Sequence, residues 1–555
     1  MGLGPVAKPR QLRPISGSNK GFPPLFARPG PPMIKTEKSP TMRFIPTTAF
    51  ALLLLASLAG ADVARADPAP GAIAALLQRG GTLELAGRAV KAGPLDALYK
   101  PRAYQPIWTA ERRKDLAAAL AEAPSHGLDP GAYAVPAADP PATELLLTDA
   151  FVRYATTLAR GSVTMSEVER DWVLPQPEID PSAVLDRALA SGVAVTLASL
   201  APHDEYYARL RQAYLRYRDY DQRASWHPLA LKLPLKPGDS GPDVVALRQR
   251  LAAEGLIAPG DGLAFDASLA AAVARFQTAR GLPDDGIVNL ATLTALNIAP
   301  GALLRTIRLN LERRRAMPHD LSATRIVVNV ADATLKFDEE GQPPLKMRVI
   351  VGGPALKTPV MKATMVSLLL NPPWIVPRSI AVTEILPAAR KDPGYMERNN
   401  YYFGGANGTQ VIQRPGPKNA LGKLKFELPN SLDIYLHDTP ARELMTRSRR
   451  MLSHGCIRVE DPRELARRVM AGDPVWTLDA IDAAIATGET QRVKLPRPIP
   501  VYVVYLTAYV GADGIVEFRP DAYGRDRHLD EALMAHNISS QLPGLPGSAE
   551  AANRD

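Results

Sequence analysis

The hydrophobic pattern changes period along the 555-residue chain, and each change predicts a different kind of element. From 67 to 233 the composition favours helices, as in Asp115–Glu122 and Tyr206–Tyr214, broken by turns at His126-Gly127-Leu128-Asp129-Pro130 and Pro175-Gln176-Pro177. From 234 to 299 the apolar positions recur at helical spacing twice, first as Val244, Leu247 and Leu251, then as Leu269, Val273 and Phe276. Ser240 is expected to cap the first of these helices and Asp266 the second, and a third, short helix should follow Asn289. A basic helical connector, 300–321, comes next. The pattern then turns to β-branched runs: Arg325–Val330, Lys346–Val351, Leu368–Trp374 and Leu432–Leu436. A mainly β domain with inserted helices is therefore expected over 322–480. One helix should run from Thr439 and Pro440 to about Arg449, and another should start at Asp461. A carboxy-terminal extension, 481–555, contains the strand-like Val501–Ala508, and its last stretch, from about Ser540, reads as disordered. The fold class is multidomain α+β.

Charge and the first residues narrow the setting. The formal charge is +9, but residues 1–66 hold nine Lys/Arg against two Asp/Glu. They account for +7, leaving +2 on the rest, so a nucleic-acid partner is not expected. Residues 42–66 have the form of a secretory signal: Met42-Arg43, the apolar Ala49–Ala56, then Ala64-Arg65-Ala66 before Asp67. The run is short for a membrane span of about 20 residues, so a membrane is expected only if this signal stays uncleaved. Residues 1–41, rich in Pro, Gly and Arg, read as a disordered, over-extended start.

Cys456 is the only cysteine. In an exported protein structural cysteines usually come in pairs, so an unpaired one suits a reactive thiol. Its context is Ser453-His454-Gly455-Cys456-Ile457-Arg458, and a second histidine, His437, lies 19 residues upstream. An imidazole can lower a thiol's pKa or take its proton. Gly455 permits close backbone approach, and N–H groups around Gly455 and Cys456 are candidate oxyanion donors. As a buried small hydrophobe, Cys456 would have no use for this company.

The pattern His437-Asp438, a spacer, then Ser453-His454-Gly455-Cys456-Ile457-Arg458 resembles the signature of the L,D-transpeptidases, cysteine enzymes of peptidoglycan cross-linking. Residues 90–530 resemble the large Gram-negative subfamily. The resemblance implies a helical scaffold domain (67–233), a three-helix peptidoglycan-binding domain (234–299) and a β-sandwich catalytic domain (322–480). The second of these rests on Phe265-Asp266, Ala272–Gln277 and Gly281–Gly286. The resemblance also implies that Cys456 is the nucleophile and His437 its partner, with His454, Gly455 and Arg458 in the site. The second ring nitrogen of His437 needs an acceptor, and the Asp438 carbonyl is a candidate. Arg458 is read as orienting the loop or a substrate carboxylate.

Residues 387–425, rich in Gly, Pro, Asn and Tyr, are long enough for a lid, and the subfamily carries a substrate-capping segment there. Tyr402, Arg414 and Asn419 are its candidate substrate-binding residues, with turn chemistry as the alternative reading. The implied reaction is periplasmic 3→3 cross-linking of stem peptides through a cysteine thioester, with stem peptides and glycan as partners. No cofactor or metal is expected, since no HExxH, CxxC or phosphate-cradling Gly-Lys-Ser motif occurs. The same thioester serves an L,D-carboxypeptidase or a lipoprotein-anchoring enzyme, and a non-catalytic wall-binding protein is the alternative from another class.

Overall fold

The computed structural model describes residues 67–223 and 226–541. The signal-like segment, the region before it and the tail beyond Gln541 lie outside the described residues. The first 150 or so described residues form a helical domain, with one hairpin of strands β1 (Thr82–Leu85) and β2 (Arg88–Lys91). Its long helices Pro140–Arg160 and Glu205–Arg223 bury Leu145, Phe151, Tyr154, Tyr207 and Leu210 in one core.

The next module is three helices, Pro242–Ala253, Ala267–Ala279 and Leu290–Leu296. Val244, Leu247, Leu251, Leu269, Val273 and Phe276 form its core, as their spacing predicts. Asp266 caps the second helix by accepting from the Leu269 N–H at 2.8 Å, and Asn289 caps the third through Thr292. Ser240 does not cap the first. Gly241 takes the N-cap position with φ +125° and no side-chain cap, while Ser240 is held in a β-bridge to Ala264.

The connector helix Pro300–Arg315 is basic but not solvated. Arg313, Arg314 and Arg315 are all buried, and each has its own carboxylate: Asp526 at 2.5 Å, Asp204 at 2.5 Å and Glu312 at 2.6 Å. A buried charge without such a partner costs several kcal/mol, roughly 3–5 when one member is removed.

The β domain is built on strands β3 (Arg325–Asn329), β4 (Thr334–Asp338), β5 (Leu345–Gly352) and β6 (Met361–Leu370). Strands β7 (Trp374–Ile375), β8 (Tyr401–Gly404) and β9 (Gln410–Gln413) form a separate small sheet. The main sheet resumes with β10 (Leu424–Glu427), β11 (Leu436–His437), β12 (Met451–Ser453), β13 (Ile457–Val459) and β14 (Gln491–Val504). The nine strands run in the order β12-β5-β13-β11-β10-β6-β14-β3-β4. Because β4 also pairs with β5, the mixed sheet curls back on itself around one core, which is how the expected β-sandwich is realised.

Three sequence expectations change here. The carboxy-terminal extension does not begin at 481, because β14 is a central strand, antiparallel to β6 and parallel to β3. Pro496, Pro498 and Pro500 disguise it, and the register shifts between Lys494 and Ile499 to accommodate them. The inserted capping segment starts at Trp374 rather than near 387, since Val376, Ile380, Ala381, Ile385 and Val411 share a small core of their own. The expected helix from Thr439 to Arg449 shrinks to one 3₁₀ stretch, Arg442–Thr446. Arg442 is drawn to the Asp438 carboxylate (2.6 Å) and the Glu460 carbonyl (2.8 Å), which holds the chain against the sheet.

The rest of the extension ties the domains together. Strands β15 (Ala508–Val510) and β16 (Val516–Phe518) place Ala508, Val516 and Phe518 in the helical domain's core. Arg280 of the three-helix module lies between the Phe276 and Phe518 rings, each 4.7 Å from its guanidinium carbon.

Candidate active site

Strands β10, β11 and β13 lie side by side and build the site. Leu424, Phe426, Leu436, Ile457 and Val459 point into the core, so the alternate residues Lys425, Tyr435, His437, Cys456 and Arg458 share the opposite face. The register sets Lys425 opposite His437 and His437 opposite Arg458. The parallel pairing of β11 with β13 thus sets Cys456, just ahead of Ile457, beside the strand that carries His437. The Ile457 N–H donates to the Tyr435 carbonyl at 3.1 Å, and the thiol lies 3.6 Å from the Asp433 carbonyl.

The Cys456 loop is a tight turn. The Ser453 hydroxyl donates to the Cys456 carbonyl (2.6 Å) and accepts from the Gly455 N–H (3.2 Å). Gly455 has φ +117°, a conformation that side chains disfavour. The expectation that its N–H serves an oxyanion is corrected, because Ser453 Oγ occupies it. The Cys456 N–H has no acceptor among the described residues and is the remaining candidate donor. From below, the Thr358 hydroxyl donates to the Gly455 carbonyl at 2.7 Å and accepts from the Gly352 N–H at 2.8 Å. Tyr523, from the extension, accepts from the Thr358 N–H (3.2 Å) and donates to the Gly352 carbonyl (2.5 Å).

His437 is 4% exposed, and its Nδ1 lies 2.6 Å from the Asp438 carbonyl oxygen. Nδ1 therefore carries the hydrogen, and Nε2 is left with its lone pair. Asp438 is held in turn by the Thr439 N–H (2.7 Å), the Lys423 N–H (2.9 Å) and Arg442. Its carboxylate is thus occupied away from the imidazole. Burial, with the charges of Arg458 and Lys425, pushes His437 down to about 3, against a smaller raising effect of the Asp438 carbonyl. Burial also pushes the Cys456 thiol up, opposed by hydrogen bonding from Tyr435 and the charges of Lys425 and Arg458. The resting pair is a neutral imidazole and a thiol. Such a pair can transfer a proton during nucleophilic attack rather than before it.

The other candidates divide. His454 faces away from this row: its Nε2 lies 2.6 Å from Glu384 Oε1 of the capping segment. Tyr402 and Arg414 stack on one another, 4.2 Å from guanidinium carbon to ring centroid, and neither side chain hydrogen-bonds to the Cys456 loop among the described residues. Asn419 does not fit a substrate-binding role. It is fully buried, donates to the Pro372 carbonyl (3.0 Å) and the Arg414 carbonyl (3.0 Å), and accepts from the Leu421 N–H (2.8 Å). That is turn chemistry. Lys425, Thr358, Tyr435 and Glu384 escaped the sequence reading, because each reaches the site through strand pairing or long-range packing. Among the described residues no group of three or more His, Cys, Asp or Glu converges as a metal-binding set.

Comparison with known proteins finds matches for three segments of the chain. Residues 323–476 match the model of the L,D-transpeptidase catalytic domain, 240–296 that of a peptidoglycan-binding domain, and 93–213 that of a scaffold domain. A curated Haemophilus influenzae protein, named as a candidate L,D-transpeptidase, is 32% identical over 247 residues. The match covers 41% of this chain and spans 50% of that relative's length. Crystal structures of L,D-transpeptidases from Xylanimonas cellulosilytica (residues 123–326) and Stackebrandtia nassauensis are 15% and 13% identical. They cover 50% and 49% of this chain and 99% and 97% of their own, with TM-scores of 0.16 and 0.20. Superpositions at those scores add nothing to the domain matches.

Proposed function

We propose that the chain is an exported enzyme of the L,D-transpeptidase family that forms 3→3 cross-links between peptidoglycan stem peptides through a thioester on Cys456. The observation that carries this reading is the fixed tautomer of His437. With Nδ1 bonded to the Asp438 carbonyl, Nε2 is the basic atom on the face that Cys456 shares. As Sγ attacks the carbonyl of the third residue of a donor tetrapeptide, its proton passes to Nε2. The new C–S bond leaves an oxyanion, for which the Cys456 N–H is the backbone donor. Collapse breaks the C–N bond, and His437 returns the proton to the departing D-alanine amine. The side-chain amine of a neighbouring stem then attacks the thioester, again losing a proton to His437, and the thiol is regenerated.

The charge of Arg458 favours the thiolate of Cys456, and Arg458 offsets negative charge at Sγ and at the oxyanion. His454 and Gly455 position the loop, while Tyr402 and Arg414 offer a stacked surface to the peptide or glycan. The three-helix module holds the enzyme on the wall, and the export signal places it in the periplasm.

The test is product analysis. The full-length mature protein, incubated with purified tetrapeptide muropeptides, is expected to show an acyl adduct by intact mass and to release 3→3 dimers. Cys456→Ala should give neither. Tripeptides alone, without dimers, would assign the enzyme to carboxypeptidase chemistry, and an adduct on Cys456→Ala would refute the nucleophile.

A further inference from the structure

Lys425, His437 and Arg458 form one cross-strand row, cation–imidazole–cation, on the face that carries Cys456. Neighbouring strands lie about 4.8 Å apart, so the two cations start about 10 Å apart astride His437, and both side chains are long enough to reach over it. Neither has a carboxylate. The Lys425 ammonium lies 4.1 Å from the Tyr435 ring centroid and makes no ion pair or hydrogen bond among the described residues. Arg458 has a buried Nε without a partner, and its guanidinium makes no ion pair among the described residues.

Several buried arginines elsewhere are matched by a carboxylate. The buried Arg280, Arg313, Arg315 and Arg525 are paired with Glu254, Asp526, Glu312 and Asp171. Two unpaired, partly desolvated cations flanking a buried histidine cost stability, because each loses hydration and gains no counter-charge. The cation–π contact returns only about 0.5–2 kcal/mol. A site that keeps them in this row is shaped for an anion that arrives from outside.

Resting on the proposed function, we propose that Lys425 and Arg458 together bind a carboxylate of the donor peptide beside the scissile carbonyl, and that Lys425 is a specificity-determining residue of the reaction. A donor offers the terminal carboxylate of its leaving D-alanine and, where the third residue is a diamino dicarboxylic acid, a carboxylate on that side chain. Binding either one across His437 lays the scissile carbonyl toward Sγ.

The experiment pairs a protein change with a substrate change. Thioester formation by the full-length mature protein is followed by intact mass for the parent donor, a donor amidated at its terminal carboxylate, and a donor amidated on the third side chain. Lys425→Met keeps an unbranched stem against Tyr435, and Lys425→Arg restores the charge. Lys425→Met is expected to lower kcat/KM for the parent about tenfold, chiefly through KM, as for loss of one charged hydrogen bond. Lys425→Arg should recover most of that loss. On the donor missing the contacted carboxylate, wild type and Lys425→Met should react alike, and that donor identifies which of the two groups is bound. Alkylation of Cys456 by iodoacetamide, a reagent without a carboxylate, measures how far loss of the Lys425 charge slows the thiol itself, and the donor rates are compared after correction for it. If Lys425→Met slows all three donors equally, or none, the carboxylate assignment is overturned while the transpeptidase reading stands. If wild type forms no thioester with any donor, the transpeptidase reading fails and the assignment falls with it.

Discussion

His454 Nε2 lies 2.6 Å from Glu384 Oε1, so a side chain of the inserted capping segment touches the turn that carries Cys456. The capping segment is otherwise a small body with its own five-residue core, joined to the sheet at its two ends. The contact is a local clasp between the inserted segment and the loop.

Both members of that clasp are well exposed, with 37% and 50% of their side-chain surface accessible. Such pairs are worth about 0–1 kcal/mol, too little to matter to global stability. The same energy matters to a local opening, where it amounts to as much as about fivefold in population. Glu384→Ala should therefore leave the thermal midpoint nearly unchanged while hydrogen exchange over residues 376–398 quickens up to about fivefold. Unchanged exchange would mean the clasp does not hold the segment down.

His437 acts on a thiol that burial has made harder to ionise, so its loss should be felt where the thiolate is scarcest. His437→Ala is expected to slow acylation by about 10²–10⁴-fold near neutral pH, the usual worth of a general base. The deficit should shrink as pH rises, because hydroxide then supplies the thiolate. His454→Ala should cost less and gain nothing from pH. Acylation rate against pH for the three proteins, with folding checked by circular dichroism, decides this. A larger, pH-rescued loss in His454→Ala would exchange the two roles.

Cys456, His437 and the Asp438 carbonyl were readable because their chemistry is local: a lone thiol, a nearby imidazole, and an acceptor one residue on. The capped helices of the wall-binding module were readable for the same reason, since a 3.6-residue period and an Asp or Asn at the start need no distant partner. What escaped depends on pairing between remote segments. Lys425 joins the site only when β10 registers against β11, and Glu384 reaches His454 across 70 residues. Strand β14 was hidden by three prolines that a central strand rarely tolerates. The helix expected after Thr439 failed because Arg442 binds Asp438 and Glu460, a tertiary demand that overrides local propensity.

Thr358 tests whether the loop's underside matters. It is fully buried, and its hydroxyl links the Gly455 carbonyl to the Gly352 N–H. Thr358→Val keeps the shape and leaves both backbone groups without a partner, which costs roughly 1–3 kcal/mol each way it is counted. The expected result is a lower thermal midpoint together with slower acylation by the same donor. Valine at 358 with wild-type acylation would show that Ser453 alone suffices to hold the turn.

The last prediction concerns pH and lies far from the thiol. His126 in the helical domain is 5% exposed, with Nδ1 2.8 Å from the Tyr207 hydroxyl, to which Arg315 also donates at 3.0 Å. Burial, with the charges of Arg211 and Arg315, pushes it down to about 2. An unfolded chain has its histidines near 6.5. Below that pH the unfolded state takes up a proton that the folded state refuses, so stability falls as pH falls, across the whole window from about 6.5 to about 2. Between pH 7 and pH 5 this one group should cost about 2 kcal/mol. His437 and the buried carboxyl groups also titrate differently on unfolding, but they do so equally in a variant that lacks only His126. His126→Gln, which can still hydrogen-bond to Tyr207, should therefore lose less stability than wild type when the pH is lowered, even if it is the weaker protein at pH 7. Denaturant midpoints of both proteins at the two pH values supply the comparison. Parallel losses would mean that His126 is protonated in the fold, with Tyr207 as its acceptor instead of its donor.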